Sequence, residues 1–326
     1  MSANCAVVGY GAAYSMGKFH AEAIRSVEGL DLTAVYDADP ARREAARNEL
    51  QVNTPETYEQ LLADPSIDLV VLVTPHDTHA PLAVQALRAG KHCATEKPMC
   101  MNLREADEMI AAAQDSSRIL TVFHNRRWDS DYLTVSNVVK SGLLGNVFLI
   151  ESTVNGFGEP MGWRREKKHG GGNLYDWGAH LWDQIARLLA PARPVRVFAD
   201  LQHRVWNVDT ETQATVMCQF DNGATATVDV GCVSWQSKPR WIVRGEKAAL
   251  VGQWDSATLK GEFGGVRGEM QVEMIKGDWK DFYRNLSGAI AGTADLAVKP
   301  QEARTAIQII EAAVQSFESG QAIAIG

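Results

Sequence analysis

The residues best suited to chemistry lie on one stretch of the second half of the chain. Asp176, His180 and Asp183 are spaced four and then three residues apart, which places them on one face of a helix. A histidine titrates near neutral pH, and a carboxylate one turn away can orient its ring and support its protonated form. This pattern indicates proton transfer. The structural alternative is a capping box formed by Asn173 and Asp176, with His180 as a buried core histidine.

A second candidate set follows the predicted strand Lys91–Thr95. Lys97, at the carboxyl end of that strand, can donate to a substrate hydroxyl or carbonyl oxygen and stabilise developing negative charge. Glu96 would hold the lysine in place or contact the ribose of a cofactor. The alternative for the two residues is a surface ion pair before a turn.

A glycine turn near the start of the chain indicates a dinucleotide site. The apolar run Cys5–Val8 is typical of a buried strand, and Gly9 and Gly11 follow it directly, before a helical pattern. In such a turn the first glycine allows the tight bend and the second lets the backbone approach the pyrophosphate. A plain glycine turn without a ligand is the alternative.

The spacing of this turn departs from G-x-G-x-x-G. Tyr14 occupies the position of the third glycine, and Gly17 comes three residues later. We interpret Ala12–Met16 as a lengthened turn, in which Ser15 and Met16 contact the cofactor and Gly17 takes the close-packing role.

Asp37 ends the predicted strand Leu32–Tyr36. At this position of a dinucleotide fold, an acidic residue accepts hydrogen bonds from the adenosine ribose and repels a 2′-phosphate. The sequence therefore predicts NAD, with NADP the less favoured cofactor. A turn or helix-cap aspartate is the alternative, and Arg42 and Arg43 leave phosphate binding open, although we place them deeper in the next helix.

Polar residues also follow the apolar strand Asp68–Val73. Thr74 and Pro75 end it at the edge where the other sites are expected, and His76 and His79 come next. No third ligand is suitably spaced, so we predict no metal site there. We assign Thr74, Pro75 and His79 to cofactor packing, with capping of the following helix as the alternative for the histidine.

The first 124 residues alternate strands with helices, which predicts βαβ units and a doubly wound parallel sheet with its ligand crevice at the carboxyl ends of the strands. In addition to the strands already given, we predict a short strand near Val52, a sixth strand at Ile119–Phe123, and helices at Pro40–Leu50, Pro55–Ala63, His79–Ala89 and Leu103–Asp115.

The pattern changes after residue 124, and we predict domains at 1–124 and 125–326. The second reads as an α+β domain with a large, open, mostly antiparallel sheet, including a hairpin at Asp221–Ala224. The predicted helices are Ser130–Ser141, Asn173–Leu189, Lys280–Gly292 and Pro300–Gly320. The predicted strands are Val147–Val154, Val195–Trp206, Thr212–Phe220, Thr225–Val233, Arg240–Arg244 and Ala248–Val251.

Composition narrows the class of protein. The 326 residues are 45% hydrophobic and 22% charged, typical of a globular protein. The net charge of −8 argues against a nucleic-acid partner, and no apolar run is long enough to span a membrane. The N-terminus lacks a signal-peptide pattern, and five scattered cysteines without CxxC spacing indicate free thiols. We therefore expect a cytoplasmic protein.

Together these motifs resemble the Gfo/Idh/MocA family of sugar and cyclitol oxidoreductases over nearly the full chain. The carrying residues are the glycine turn ending in His20, Thr74-Pro75 with His79, Glu96-Lys97-Pro98, the junction Phe123–Asp129, and Gly170–Gly172 leading into Asp176, His180 and Asp183. The resemblance implies a Rossmann domain followed by an open-faced sheet domain, with bound NAD(P) and a catalytic centre of Lys97, Asp176 and His180. It also implies that Asn125 and Arg126 of the junction contact the cofactor and that Asp183 contacts the substrate.

The expected activity is hydride transfer between NAD(H) and a secondary alcohol or ketone of a sugar, sugar derivative or cyclitol. Trp163, Trp177 and Trp182 could stack on a sugar ring, and Trp163 is assigned to the substrate site; core or subunit-interface roles are the alternatives. The open sheet predicts a homo-oligomer, a dimer or tetramer. Rival functions are redox-assisted glycoside cleavage or epimerisation with retained NAD, and a non-enzymatic sugar or NAD sensor.

Overall fold

The structure, a computed structural model, describes residues 2–11 and 15–326. The chain divides into two compact units, Met1–His124 with Trp279–Arg304, and Asn125–Asp278 with Thr305–Gly326. The predicted bounds differ at residues 279–304, which lie with the first unit. Among the described residues no helix combines the length and apolarity that a membrane crossing requires.

The first unit is built on a five-stranded parallel sheet in the order β2-β1-β3-β4-β5. Its strands are β1 (Ala3–Val8), β2 (Leu30–Tyr36), β3 (Leu69–Leu72), β4 (His92–Thr95) and β5 (Leu120–Val122), and its helices are α1 (Met16–Arg25), α2 (Pro40–Leu50), α3 (Tyr58–Ala63), α4 (His79–Arg88) and α5 (Leu103–Ser116). The apolar runs of β1 and β3 are almost wholly buried, as continuous hydrophobic strands in a covered parallel sheet require. The predicted α/β class is confirmed.

The strand order places a switch point between β1 and β3. The chain runs from β1 to β2 on one side and returns to β3 on the other, so the carboxyl ends of β1 and β3 are neighbours. In doubly wound sheets ligands bind outside the carboxyl ends of the strands at such a point. The fold therefore brings Gly9 beside the segment that follows β3.

The predicted strand near Val52 is wrong. Asn53 makes a single bridge to Ala34 of β2, through bonds of its N–H to the Thr33 carbonyl and of its carbonyl to the Val35 N–H. The next helix starts at Tyr58 rather than Pro55, because the Thr57 hydroxyl accepts the Gln60 N–H and caps it there.

Residues 279–304 join the first unit through aromatic packing. They contain α8 (Asp281–Ile290), whose Phe282 and Tyr283 are buried. The Phe123 ring, at the end of β5, lies 4.9 Å from Phe282 between centroids, and Phe19 of α1 lies 5.9 Å from Trp279. Sequence order placed this segment in the second domain because its partners are distant along the chain.

The second unit contains a nine-stranded sheet in the order β13-β12-β11-β10-β6-β9-β8-β7-β14. Within this sheet, β6–β9 is the single parallel pair among the described strands, so the predicted mostly antiparallel sheet is confirmed. The strands are β6 (Val147–Asn155), β7 (Pro194–Gln202), β8 (Gln213–Phe220), β9 (Thr225–Gly231), β10 (Trp241–Gly245), β11 (Ala248–Gly252), β12 (Ala257–Phe263), β13 (Val266–Val272) and β14 (Ile323–Ala324).

Helices cover one face of this sheet. The helices are α6 (Ser130–Lys140), α7 (Asn173–Leu189) and α9 (Pro300–Ser319), and the division between the units falls within α9. Their apolar residues share one core with alternate residues of the strands, such as Val197, Val216 and Val228. The intervening residues face away from this core, and Phe198 and Met217 are 43% and 41% exposed there.

Turn residues define the hairpins of this sheet. The predicted hairpin at Asp221–Ala224 joins β8 to β9, with Gly223 at φ 85°. The hairpin of β12 and β13 was not specified from the sequence, although Gly264 and Gly265, both at positive φ, are a recognisable signal for it.

Candidate functional site

The glycine turn after β1 makes close backbone contacts. A Cβ on Gly9, at φ 101°, would lie 2.1 Å from the Val73 carbonyl oxygen that follows β3. A Cβ on Gly17 would lie 2.4 Å from the Gly9 carbonyl oxygen, which supports its close-packing role. Ser15, at φ 51°, is the N-cap of α1, and Met16 begins the helix. Of the proposed lengthened turn, residues 12–14 lie outside the described part of the chain.

Asp37 lies at the end of β2 and holds two turns together. Its Oδ2 accepts the Tyr10 N–H at 2.7 Å, and its Oδ1 accepts the Asp39 N–H at 2.9 Å. The predicted alternative of a turn aspartate is therefore realised in part. Because each carboxylate oxygen accepts two hydrogen bonds, these contacts leave capacity for ribose hydroxyls.

Arg42 lies closer to the glycine turn than the sequence suggested. A Cβ on Gly11 would be 2.6 Å from its Nη1, and the same nitrogen is 3.9 Å from Asp37 Oδ2. Arg43 instead donates to the Asp37 carbonyl oxygen at 2.7 Å. The expectation that both arginines sit too deep in α2 is wrong for Arg42, because the first turn of the helix presents it to the turn.

His79 joins the segments that follow β3 and β4. Its ring is fully buried, with Nδ1 2.8 Å from the Pro98 carbonyl oxygen and Nε2 3.0 Å from the Thr74 carbonyl oxygen. Burial lowers the pKa of His79 below its ordinary value. This buried bracing differs from the predicted direct packing on a cofactor. Within residues 2–11 and 15–326, no three potential metal-ligating side chains are grouped closely enough to hold a metal ion.

Glu96, which is partly buried, forms the end of a hydrogen-bonded chain. Its Oε1 is 2.9 Å from His20 Nε2, its Oε2 accepts the Lys97 N–H at 3.0 Å, and His20 Nδ1 is 2.5 Å from the Tyr283 hydroxyl. Burial alone would raise the pKa of Glu96, but the bond from His20 and the nearby Lys97 bring it below its ordinary value. Sequence reasoning marked His20 only as the end of a motif and missed Tyr283, which lies 263 residues away.

Asp176 and His180 share the α7 helix, as predicted. Asp176 Oδ2 accepts Arg164 Nε–H at 3.0 Å, and the His180 ring is 6.1 Å from that of Trp177 between centroids. His180 is 5% exposed. The capping box of the structural alternative is wrong, because the N-cap of α7 is Gly172, one residue before Asn173. The burial of His180 agrees with the other part of that alternative.

The start of α7 is fixed by Glu211 and the preceding glycines. Glu211 Oε1 accepts the Leu174 N–H at 2.7 Å, and burial raises the pKa of Glu211 to about 7. A Cβ on Gly172, at φ 96°, would lie 2.3 Å from this carboxylate, and one on Gly171 would lie 2.4 Å from the Arg164 carbonyl oxygen. The glycine triplet thus allows a loop and a carboxylate to close on the helix that carries Asp176.

Asp183 is part of a buried ion pair. Its Oδ2 accepts Arg127 Nε–H at 2.7 Å and its Oδ1 accepts Arg127 Nη2–H at 2.5 Å, while the Asp183 side chain is 1% exposed. Such a bidentate, buried arrangement anchors the junction to α7. It does not support the predicted contact of Asp183 with substrate.

Arg126 packs against two aromatic rings in the second unit. Its guanidinium carbon lies 4.2 Å from the centroid of Trp177 and 5.7 Å from that of Trp254, and its Nη1 donates to Asp129 Oδ2 at 2.7 Å. Its neighbour Asn125 is buried. These contacts fix the guanidinium. The cofactor contact of Arg126 stays a prediction.

The tryptophans near α7 have different environments. Trp182 is fully buried in the core, so the sugar-stacking alternative for it is wrong. Trp177 is partly buried and packs on Arg126. Trp163 is also partly buried, in the loop before α7, with the Arg164 guanidinium 4.6 Å from its ring centroid. Trp163 therefore remains the candidate with ring surface available in this loop.

Comparison with known proteins agrees with this architecture. Residues 3–124 match the family described as "Oxidoreductase family, NAD-binding Rossmann fold", and residues 132–251 match the "GFO/IDH/MocA C-terminal domain". The chain is 30% identical to the uncharacterized oxidoreductase YdgJ of Escherichia coli (strain K12), over 95% of each chain. It is 25% identical to scyllo-inositol 2-dehydrogenase (NADP(+)) IolW of Bacillus subtilis (strain 168), over 97% of this chain and 94% of that one. A crystal structure of an NAD-binding protein from Listeria innocua superposes with a TM-score of 0.90 at 29% identity, covering 99% of this chain and 97% of that chain.

Proposed function

Because this chain belongs to the Gfo/Idh/MocA oxidoreductase family, we propose that it transfers a hydride between NAD(H) and a secondary alcohol or ketone of a sugar, sugar derivative or cyclitol. The observation that carries the proposal is that a proton-transfer set, Asp176 and His180 on one helix, accompanies Glu96 and Lys97 at the end of β4. A protein that only sensed a sugar or a nucleotide would need no such set.

The residues of the first unit fit a nicotinamide dinucleotide. Gly9 and Gly17 let strand and helix approach closely, which leaves backbone N–H groups and the start of α1 for a pyrophosphate. We assign the cofactor to residues that surround the carboxyl ends of β1 to β4, with two from the junction: Gly9, Gly11, Ser15, Met16, Asp37, Thr74, Pro75, Glu96, Lys97, Asn125 and Arg126. A bound nicotinamide would supply the hydride acceptor for oxidation and the donor for reduction.

His180 is the proposed proton acceptor. In the oxidation direction the hydroxyl proton passes to the imidazole as a hydride leaves the carbon that bears the hydroxyl, so a carbonyl forms. Asp176, whose Oδ2 is held by Arg164, supports the imidazolium that results. In reduction His180 returns the proton.

Lys97 is the proposed donor to the reacting oxygen. Its ammonium stabilises the negative charge that develops there as the hydroxyl loses its proton. Glu96, fixed by His20 and by the Lys97 N–H, sets the backbone from which the lysine side chain extends. Trp163 is the proposed apolar contact for a sugar ring. Asp183 is left out of the substrate site because Arg127 engages both of its oxygens.

A screen of sugars and cyclitols with NAD and NADP, followed by cofactor absorbance, tests the proposal. We expect turnover of at least one polyol, sugar or ketose that depends on added cofactor. Turnover that needs no added cofactor, with NAD retained through purification, would indicate redox-assisted glycoside cleavage or epimerisation. Cofactor binding without turnover of any substrate would identify a sensor and overturn the proposal.

A further inference from the structure

A hydrogen-bonded chain of three side chains, two of them fully buried, connects to the segment that contains Lys97. Tyr283 comes from α8, His20 from α1 and Glu96 from the end of β4, and the three elements belong to the same unit. Tyr283 and His20 are both fully buried. The His20 ring is bonded at both nitrogens, with Nδ1 2.5 Å from Tyr283 Oη and Nε2 2.9 Å from Glu96 Oε1.

One arrangement of protons satisfies all three groups with a neutral ring. Burial raises the pKa of Tyr283 well above its ordinary value, so its hydroxyl keeps its proton and can donate. The carboxylate of Glu96 accepts only. The ring nitrogen facing Glu96 must then carry the hydrogen, and the nitrogen facing Tyr283 accepts.

Aromatic packing fixes the middle of this chain. The His20 ring lies edge-on to Phe123 at 4.5 Å between centroids and to Phe19 at 5.6 Å. A ring held by two hydrogen bonds and two aromatic neighbours has one orientation available. The carboxylate it bonds is therefore fixed as well, and its second oxygen accepts the Lys97 N–H at 3.0 Å.

We infer that His20 and Tyr283 are positioning residues that hold the Glu96 carboxylate in its binding orientation for the cofactor. The inference rests on the proposed function, because it gives Glu96 a contact with the nicotinamide half of the dinucleotide. The ionisable groups near the chain include the Lys97 ammonium and the His79 imidazole, close to Glu96, and the Cys5 thiol, close to Tyr283. Tyr283 reaches the site from a segment that sequence order assigned to the other domain.

The test compares two buried tyrosines that each lose one hydroxyl. Tyr58 is the matched control, because it is 4% exposed, belongs to the same unit and donates to the Leu82 carbonyl oxygen at 2.9 Å, away from Glu96. Calorimetry of NADH binding should show a Kd about fivefold higher for Tyr283→Phe, the ratio that one lost hydrogen bond of about 1 kcal/mol gives. The Kd for NADH of Tyr58→Phe should stay within about twofold of wild type, while its Tm should fall by about as much as that of Tyr283→Phe.

A double-mutant cycle shows whether the effect passes through Glu96. If it does, Tyr283→Phe in a Glu96→Gln background should add little further loss of NADH affinity. Fully additive losses, or equal Kd values for Tyr283→Phe and Tyr58→Phe, would overturn the inference.

Nitrogen-15 chemical shifts of His20 test the chain without any cofactor. We expect Tyr283→Phe to shift the Nδ1 resonance, because that nitrogen loses its donor, and Tyr58→Phe to leave it unchanged. An unchanged Nδ1 resonance in Tyr283→Phe would show that the chain does not exist. If the wild-type protein binds no nicotinamide cofactor, while Tyr283→Phe still shifts the Nδ1 resonance as expected, the proposed function is overturned and the hydrogen-bonded chain is not.

Discussion

At the scale of single residues, the structure gives different environments to side chains that look alike in the sequence pattern. Asp176 and Asp183 lie on the same helix, yet the first is partly exposed beside Arg164 and the second is buried against Arg127. A partly exposed carboxylate is available to assist a reaction, whereas a buried carboxylate that accepts two hydrogen bonds from one guanidinium holds two elements together. The two residues therefore give opposite predictions.

His180→Ala should lower kcat by about 10²–10⁴, the usual contribution of a general base, and Lys97→Ala should also lower kcat. The assay is steady-state turnover of the substrate found by the screen. His203→Ala, which removes an exposed histidine of the same unit, is the control and should leave kcat unchanged. Near-wild-type kcat in His180→Ala would contradict its role as the proton acceptor.

Asp183→Ala should destabilise the fold by about 3–5 kcal/mol, because it leaves the buried Arg127 guanidinium unpaired. Chemical denaturation measures the free energy of unfolding. Glu269→Ala removes an exposed pair with Lys260 and should change it by less than about 1 kcal/mol. A raised KM with unchanged stability in Asp183→Ala would restore the predicted substrate contact.

Asp37 should make NAD preferred over NADP, because its carboxylate repels a 2′-phosphate. Asp37→Ser should narrow that preference, and Arg42, beside both Asp37 and Gly11, would then favour the phosphate. The measurement is kcat/KM with each cofactor, and Arg43→Ala tests the arginine that instead bonds the Asp37 carbonyl. A wild-type advantage for NADP of tenfold, about 1.4 kcal/mol, would show that the prediction is wrong.

At the scale of elements, the N-terminus of α7 is held by close contacts. Its first N–H groups receive a carboxylate from Glu211, which lies just before β8, and Gly171 and Gly172 leave the space for that contact. Asp176 is only one turn further along the helix. The loop and the cap thus determine where the proposed proton-transfer residues begin.

Stability should depend on pH through Glu211. The pKa of this carboxyl is about 7 in the folded chain because of burial, against an ordinary value of 4.5. Since the pKa of Glu211 is higher in the folded chain than in the unfolded chain, its contribution to the free energy of unfolding is fully present below about pH 4.5. This contribution is lost as pH rises through about 7, and the total loss is about 3 kcal/mol. Glu211→Gln should remove this slope from the free energy of unfolding. A wild-type slope equal to that of Glu211→Gln would contradict the prediction.

At the scale of the whole molecule, the face of the nine-stranded sheet that points away from the helical core of the second unit carries exposed apolar side chains. Phe198 of β7 and Met217 of β8 are paired there and are both about two-fifths exposed. Adjacent apolar side chains on an open sheet face favour burial against another surface. We propose that a second copy of this chain covers them.

Met217→Glu should therefore dissociate the oligomer, because a carboxylate in an apolar interface loses its hydration. Light scattering after size exclusion gives the mass of wild type and variant. Val266→Glu, at an exposed position in the edge strand β13, is the control. A monomeric wild type, or an oligomer unaffected by Met217→Glu, would contradict this interface.

The sequence by itself determined most of the local elements and the fold class. Apolar runs such as Cys5–Val8, the glycines after them and the i, i+4 spacing of Asp176 and His180 are local signals, because strand, turn and helix periodicity depend on neighbouring residues. The prediction of a strand near Val52 was wrong because the two hydrogen bonds that Asn53 makes to β2 do not extend into a ladder.

Tertiary structure alone decided which distant groups meet. Tyr283 bonds His20, Glu211 caps α7, and Arg127 takes both oxygens of Asp183. Each partner is remote in sequence, and burial, which sets the pKa of Glu211 and leaves Asp183 inaccessible, arises only when separate elements pack. No periodicity or spacing in the chain carries that information.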